Sequence, residues 1–433
     1  MISAEVRSVK YRRKLFRHRD PYDLKGTDEL FVKAARENCA YAYKHCPGYK
    51  AILDDAGFSP ERLQSPEDLA ELPFLPTALF KRRRLFSMPR RRLPCVVTSS
   101  GTSGRASEIG FSLGDLWAGL KMVLHICRLR RLISLRPCHY VVFGYQPRLR
   151  NRKGVSWTAF GVTLFAPALS RTYALRWRRH VSAPTSCSGA HQCATGTATS
   201  GGRHPSTGLE AGPPPLQAGE VKAAPTAGEG DYVLDLGAVQ DAIVRHSSSR
   251  FPLRFMGFPA YAWFLMKRMD EQGVYVQLPK GSKLMLGGGW KQFYAEQVDK
   301  SEFYALAKRV LGLDDRDIIE FYGAVEHPIF YNDCERHHFH VPIYSRVLIR
   351  DPVSLRPVPN GTPGLVNLIT PMDIGTPLLS VMTDDLGILH DAAECGCGLD
   401  APWLEILGRV GLQDIKTCAA GASEILNKVE VSL

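Results

Sequence analysis

Short apolar runs that stop at glycine, or at a turn of small hydroxyl residues, recur along this chain. Cys95-Val96-Val97 runs into Thr98-Ser99-Ser100-Gly101-Thr102-Ser103-Gly104, and Tyr140-Val141-Val142-Phe143 stops at Gly144. Lys283-Leu284-Met285-Leu286 stops at Gly287-Gly288-Gly289-Trp290, and Asp317-Ile318-Ile319-Glu320-Phe321-Tyr322 stops at Gly323. Each run is the length of a buried strand, and helical periodicity separates several of them. That alternation predicts an α/β domain with a substantially parallel sheet. Ligands of such sheets bind outside the carboxyl ends of the strands, where these glycines fall.

Seven residues of glycine, serine and threonine cannot anchor a core. They can turn tightly and aim backbone N–H groups and hydroxyls at one point, which is how a chain cradles phosphate oxygens. No Gly-Lys-Ser/Thr closes the Thr98–Gly104 stretch, so it is not a Walker A loop. Alone it reads equally well as a surface turn. The other strand ends tip the balance: Tyr322-Gly323-Ala324-Val325-Glu326, Thr383-Asp384-Asp385-Leu386-Gly387 and Gly408-Arg409-Val410. An aromatic beside glycines, an isolated acid and an aspartate suited to ribose together fit a nucleoside triphosphate with its Mg²⁺.

In chain order, residues 21–70 read as helical, with Phe31, Val32, Ala35, Cys39 and Tyr43 at helical spacing. Ser65-Pro66-Glu67-Asp68 reads as a helix start, and Leu72-Pro73-Phe74-Leu75-Pro76 as extended. Leu113 to Leu132 reads as a helix with Leu116, Leu120, Val123, Leu124 and Cys127 on one apolar face. From Arg178 to Gly230 the chain is dominated by Gly, Ala, Ser, Thr and Pro, and so few large aliphatics cannot offset ordering entropy. A flexible insertion is expected there; its Cys187, His191 and Cys193 are a weak metal motif. Order resumes at Asp231, Pro252 to Met269 reads as a buried helix, and Val341 to Ile349 and Gly364 to Ile369 read as β structure. The expected organisation is 1–177 as the first part of a nucleotide-binding domain, 178–230 as the insertion, 231–408 as the second part and 409–433 as a short C-terminal segment.

The net charge of +12 gathers in runs such as Arg12-Arg13-Lys14, Lys81 to Arg84, Arg90 to Arg92 and Arg128 to Arg131. No nucleic-acid motif accompanies them, so a solvated basic surface drawing acidic or polyphosphate partners is expected. No apolar run approaches the roughly 20 residues of a membrane span, and the basic N-terminus lacks a secretory h-region, which points to the cytoplasm. The 11 cysteines, odd in number and scattered, argue for reduced thiols rather than a disulfide framework.

The order of these motifs resembles the adenylate-forming, acyl-activating superfamily, and within it the long-chain fatty acyl-protein synthetases of bacterial bioluminescence. The resemblance covers most of the chain outside 178–230. It is most specific in Gly287-Gly288-Gly289-Trp290-Lys291, in Glu320 to Pro328, and in Ile415-Lys416-Thr417-Cys418-Ala419-Ala420-Gly421. It implies the large-domain architecture of those enzymes: an α/β fold with parallel sheets, a β-rich segment and a truncated C-terminal region. It further implies ATP- and Mg²⁺-dependent activation of a fatty acid as acyl-adenylate. The acyl group would pass to an enzyme cysteine as a thioester, for delivery to a partner such as an acyl reductase. By that match Thr98, Ser99, Gly101, Thr102 and Gly104 hold phosphates, Gly288 and Tyr322 flank adenine, Glu326 reaches Mg²⁺, and Asp385 and Arg409 bind ribose. Cys418 is the acyl acceptor, its thiolate favoured by the neighbouring Lys416 ammonium. Two departures stand out. Glu108 sets an acid close to the expected phosphates. The separate C-terminal domain with its adenylation lysine is not matched, which leaves Lys416 as a possible substitute. The rival readings are an acyl-CoA ligase of the phenylacetate type and a non-catalytic nucleotide- or partner-binding relative.

A second cluster stands apart from that resemblance. Cys334, His337-His338-Phe339-His340 and Cys395-Gly396-Cys397 flank a β region. Cys334, Cys395 and Cys397 form a candidate Cys₃His zinc site with one histidine of the pair His338 and His340, which share a strand face; His338 is taken as the candidate.

Overall fold

The structure is a computed structural model of the chain, and it describes residues 9–98, 107–147, 160–179, 230–290, 293 and 296–409. Its first helices are α1 (Lys10–Leu15), α2 (Leu24–His45) and α3 (Pro47–Asp55). The Asp23 carboxylate caps α2 by accepting from the Gly26 N–H, and Pro47 ends one helix and starts the next. The helix start expected at Ser65 is a short 3₁₀ turn (Pro66–Ala70) rather than an α-helix, and Ser65 and Asp68 cap it reciprocally. The prolines that follow leave only β1 (Leu75–Pro76) before α4 (Thr77–Arg82).

β2 (Cys95–Thr98) and β3 (Glu108–Phe111) form an antiparallel pair of their own, with Thr98 opposite Glu108. Thr98, the first residue of the segment expected to bind phosphate, therefore ends a strand of this antiparallel pair and not a strand of the parallel sheet. α5 (Leu113–Ile126) follows, capped reciprocally by Ser112 and Asp115. It stops short of the expected Leu132, and it is rotated from the expected face. Asp115, Ala118, Met122 and Ile126 are buried, whereas Leu116, Leu120 and Leu124 are 40%, 47% and 41% exposed.

Next come β4 (Cys138–Tyr145), β5 (Ala168–Arg179), β6 (Gly230–Leu234), α6 (Leu236–Ser247), β7 (Leu253–Gly257) and α7 (Pro259–Glu271). The expected helix from Pro252 is thus a strand followed by a helix that starts at Pro259. An apolar run buried on all sides has no period to tell the two apart. β8 (Lys283–Gly287), α8 (Lys300–Leu311) and β9 (Ile318–Ala324) complete the parallel core, and β10 (His327–Asn332) turns back antiparallel to β9. The sheet order is β10-β9-β8-β7-β4-β5-β6. Side chains alternate across it: Val141, Phe143, Phe255, Leu284 and Ile318 pack against helices α6 to α8, and Tyr140, Val142, Met256, Met285 and Ile319 form the core on the other face.

The C-terminal strands are β11 (Phe339–His340), β12 (Arg346–Arg350), β13 (Gly364–Ile369), β14 (Ser380–His390) and β15 (Trp403–Arg409). They form an antiparallel sheet of order β11-β15-β14-β13-β12, to which β1 adds in parallel beside β14. Its core takes in Leu15, Phe31, Leu53 and Leu79 from the N-terminal helices and Val366, Leu368, Val381 and Leu404 from the sheet. The strand expected from Val341 begins only at Arg346, because Pro342 leads into a turn closed by the Ser345 N–H on the Pro342 carbonyl.

The chain divides into a large unit, Met1–Leu175 with Leu234–Leu433, and a small one, Arg176–Val233. Strand β5 runs two residues into the expected insertion, to Arg179, and β6 starts at its last residue, Gly230; residues 180–229, with Cys187, His191 and Cys193, lie outside the described residues. Two arginines of the basic runs are buried rather than solvated. Arg12 pairs with Asp115, and Arg130 bonds Asp333 and the carbonyls of Cys334, Arg316 and Ile318. The eight cysteines described are free thiols, and no described helix is long and apolar enough to cross a membrane.

Candidate active site

Asp385 sits where β14 passes β15, opposite Arg409. Its backbone N–H donates to the Thr383 hydroxyl at 3.2 Å, and that hydroxyl donates to the Val366 carbonyl at 3.0 Å. The aspartate is thereby fixed from both neighbouring strands. Its Oδ2 accepts from the Tyr322 hydroxyl at 2.9 Å and its Oδ1 from Arg409 Nε at 3.0 Å. An ionised carboxylate has about four acceptor positions, so two stay free for donors such as ribose hydroxyls. The Asp385 side chain is 9% exposed and the Arg409 side chain 67%. The acid is thus held rigidly and its cation lies at the surface. Burial, followed by the negative Asp385, holds the Tyr322 phenol well above its ordinary range, so it stays protonated as a donor.

Gly288 follows β8 directly, one position beyond the Gly287–Phe321 pairing that leads into Tyr322. It has φ +82° and Gly289 has φ +65°, left-handed conformations that favour glycine and leave backbone without side-chain cover. Glu326 lies in the turn between β9 and β10 and is 6% exposed. Among the described residues, no hydrogen bond or ion pair engages its carboxylate. Its carboxylate oxygens are not themselves sealed from open space, so a carboxylate without a protein partner is available there as a cation ligand. Thr98 ends β2, and the preceding Val97 packs against the same core that Tyr322 and Val325 border. Glu108 is compensated: Arg84 Nη2 donates to its Oε1 at 2.8 Å. Ser99, Gly101, Thr102, Gly104, Lys416 and Cys418 lie outside the described residues.

Sequence reasoning missed several supporting groups. The Thr77 hydroxyl donates to Asp384 at 3.0 Å, tying α4 to the strand that carries Asp385. Directly after Glu326, His327 is fully buried, its Nε2 3.2 Å from both the Tyr331 hydroxyl and the Ser345 hydroxyl. Burial lowers its pKa to about 3, so the ring is neutral. Thr77 after a proline was a legible helix start, but its partner 307 residues away had no local signal.

The Cys/His cluster forms with one correction. Cys334, Cys395 and Cys397 converge with His340, not with His338. His340 Nε2 is 3.2 Å from both Cys395 Sγ and Cys397 Sγ. His338 reaches one sulfur, Cys395 at 3.1 Å, and its ring lies flat on Trp403.

Residues 237–427 match the family described as acyl-protein synthetase, LuxE. The chain is 26% identical over 189 residues to a long-chain-fatty-acid–luciferin-component ligase of Aliivibrio fischeri, 43% of this chain and 49% of that one. It is 28% identical over 195 residues to the protein of the same name from Vibrio harveyi, 44% of this chain and 50% of that one. The chain thus spans about half the length of these relatives. A phenylacetate-coenzyme A ligase of Thermus thermophilus is 35% identical over 80 residues, 18% of each chain. Among solved structures, 2-hydroxyisobutyryl-CoA ligase in an open conformation with 2-HIB-AMP and CoA superposes with a TM-score of 0.60 at 17% identity, over 92% of this chain and 79% of that one. The postadenylation state of the same enzyme gives 0.59 at 18% identity, over 90% and 70%. This chain therefore has the fold of the adenylate-forming ligases and, over residues 237–427, the sequence pattern of the LuxE acyl-protein synthetases.

Proposed function

We propose that this protein activates a long-chain fatty acid with ATP and passes the acyl group to its own Cys418. The observation that carries this reading is the Tyr322–Asp385–Arg409 arrangement, in which side chains from two other strands hold the Asp385 carboxylate ready for a ribose. It lies within the segment that matches the acyl-protein synthetases. In the first step the fatty carboxylate attacks the α-phosphorus of ATP, the acyl–phosphate bond forms, and pyrophosphate leaves. Charge builds on the phosphate oxygens, and the hydroxyl and backbone N–H donors of the stretch from Thr98 to Gly104 are the groups suited to meet it. Mg²⁺, for which Glu326 is the candidate ligand, supplies further neutralisation when bound. In the second step the Cys418 thiolate attacks the acyl carbonyl, AMP leaves, and a thioester remains for an acceptor such as an acyl reductase. Lys416 supports the thiolate.

The test is incubation of the full chain with ATP, Mg²⁺ and radiolabelled fatty acids. Hydroxylamine-sensitive label is expected on the protein and is expected to vanish in Cys418→Ser. The short match to phenylacetate-coenzyme A ligase supports one second reading, transfer to coenzyme A. It predicts that Cys418→Ser still makes acyl-CoA and that the wild type carries no covalent label.

A further inference from the structure

We propose that Cys334, His340, Cys395 and Cys397 bind one zinc ion that ties the connection between β10 and β11 to the connection between β14 and β15. The four ligand atoms lie within 4.8 Å of one another. Cys334 Sγ and Cys395 Sγ are 3.6 Å apart, far beyond the about 2.05 Å of a disulfide. Zinc–sulfur bonds of about 2.3 Å and zinc–nitrogen bonds of about 2.0 Å set tetrahedral edges of about 3.8 Å between sulfurs and about 3.5 Å from sulfur to nitrogen. The observed sulfur–sulfur and sulfur–nitrogen separations, 3.6 and 3.2 Å, fall within a few tenths of an ångström of those edges.

The outer groups suit the same ion. His340 is fully buried, and its Nδ1 lies 2.7 Å from the Ala401 carbonyl. That contact places the ring proton on Nδ1 and leaves the Nε2 lone pair facing the sulfurs, the arrangement usual for a metal-bound imidazole. The Arg336 N–H donates to Cys334 Sγ at 3.3 Å. His338 and His390 each stack on the Trp403 ring system, with centroids 3.8 and 3.9 Å away. Its single sulfur contact makes His338 a donor from outside the ligand set. Four protein ligands with no open position describe a structural site rather than a catalytic one. Binding replaces the three thiol protons, so one Zn²⁺ enters and three protons leave.

The site does not rest on the acyl-activation reading, and it can fail or stand independently of it. Its test is metal analysis of the full chain, grown with zinc and gel-filtered without chelator. About one zinc per chain is expected. His340→Ala and Cys397→Ser should lose it, while His338→Ala and the conservative Cys397→His should keep it. Protein grown with cobalt should show tetrahedral d–d bands and thiolate-to-cobalt charge transfer. Wild-type protein lacking zinc, carrying iron instead, or showing a Cys334–Cys395 disulfide after alkylation overturns the proposal without recourse to any variant. Zinc kept by His340→Ala and lost by His338→Ala overturns the ligand assignment.

Discussion

Asp385 is the residue on which the nucleotide reading turns, and its two hydrogen bonds give the size of the expected effect. Hydrogen bonds to a charged group are worth about 1.5–3 kcal/mol, or roughly 10- to 100-fold in a rate or affinity. Asp385→Asn keeps the shape and removes the charge that Arg409 and Tyr322 both contact. ATP–pyrophosphate exchange should therefore fall roughly 10- to 100-fold in kcat/KM for ATP. An unchanged exchange rate would remove Asp385 from the site. His327 predicts a pH dependence of stability. Its folded-state pKa of about 3 lies below the unfolded value of 6.5, so the unfolded chain binds the proton first as pH falls. Its contribution is complete above pH 6.5 and is lost as pH drops from there toward 3, at up to about 1.4 kcal/mol per pH unit. Urea denaturation across that range should show a shallower slope for His327→Gln than for the wild type.

At the scale of the element, α5 shows what periodicity can and cannot decide. Its apolar residues form two stripes, Leu116, Leu120 and Leu124 on one side and Ala118, Met122 and Ile126 on the other. Both stripes have helical spacing, so the sequence offers no local reason to prefer either. The choice is made by Asp115, which Arg12 and the N–H groups of Ile374 and Gly375 hold inside. Those partners are distant in sequence. Met122→Ala should cost about 2–5 kcal/mol in urea melts and Leu116→Ser no more than about 0.5. The reverse ranking would put the Leu116 stripe on the inside instead. The same limit explains the zinc cluster. Strand alternation puts His338 and His340 on one face, and only the approach of Cys395 and Cys397 from another loop separates them. By contrast the parallel strands, the glycines after β8 and the Tyr322, Asp385 and Arg409 motifs were legible, because each is a local pattern of residue type. The three could not be joined through one carboxylate until the strands had been placed.

Across the whole molecule, distant parts of the chain meet in buried polar contacts. Arg12 bonds both Asp115 and the Met372 carbonyl, and Asn38 bonds the carbonyls of Pro371 and Asp373. Removing one partner of a buried ion pair strands the other charge and costs about 3–5 kcal/mol. Arg12→Met should lower the unfolding free energy by that amount, read by denaturant titration, and a loss under about 1 kcal/mol would show that Asp115 finds other compensation. The placement of β1 beside β14 carries a further consequence. Residues 75 and 76 complete the edge of the strand that leads into Asp385, and they belong to the half of the chain that the family match leaves out. An excised piece beginning at residue 237 would expose that edge, along with the apolar face that α2 and α4 now cover. The signature of the family is thus not a module that could be moved to another protein. It is one side of a closed structure, and it needs the unmatched side to exist as a folded object.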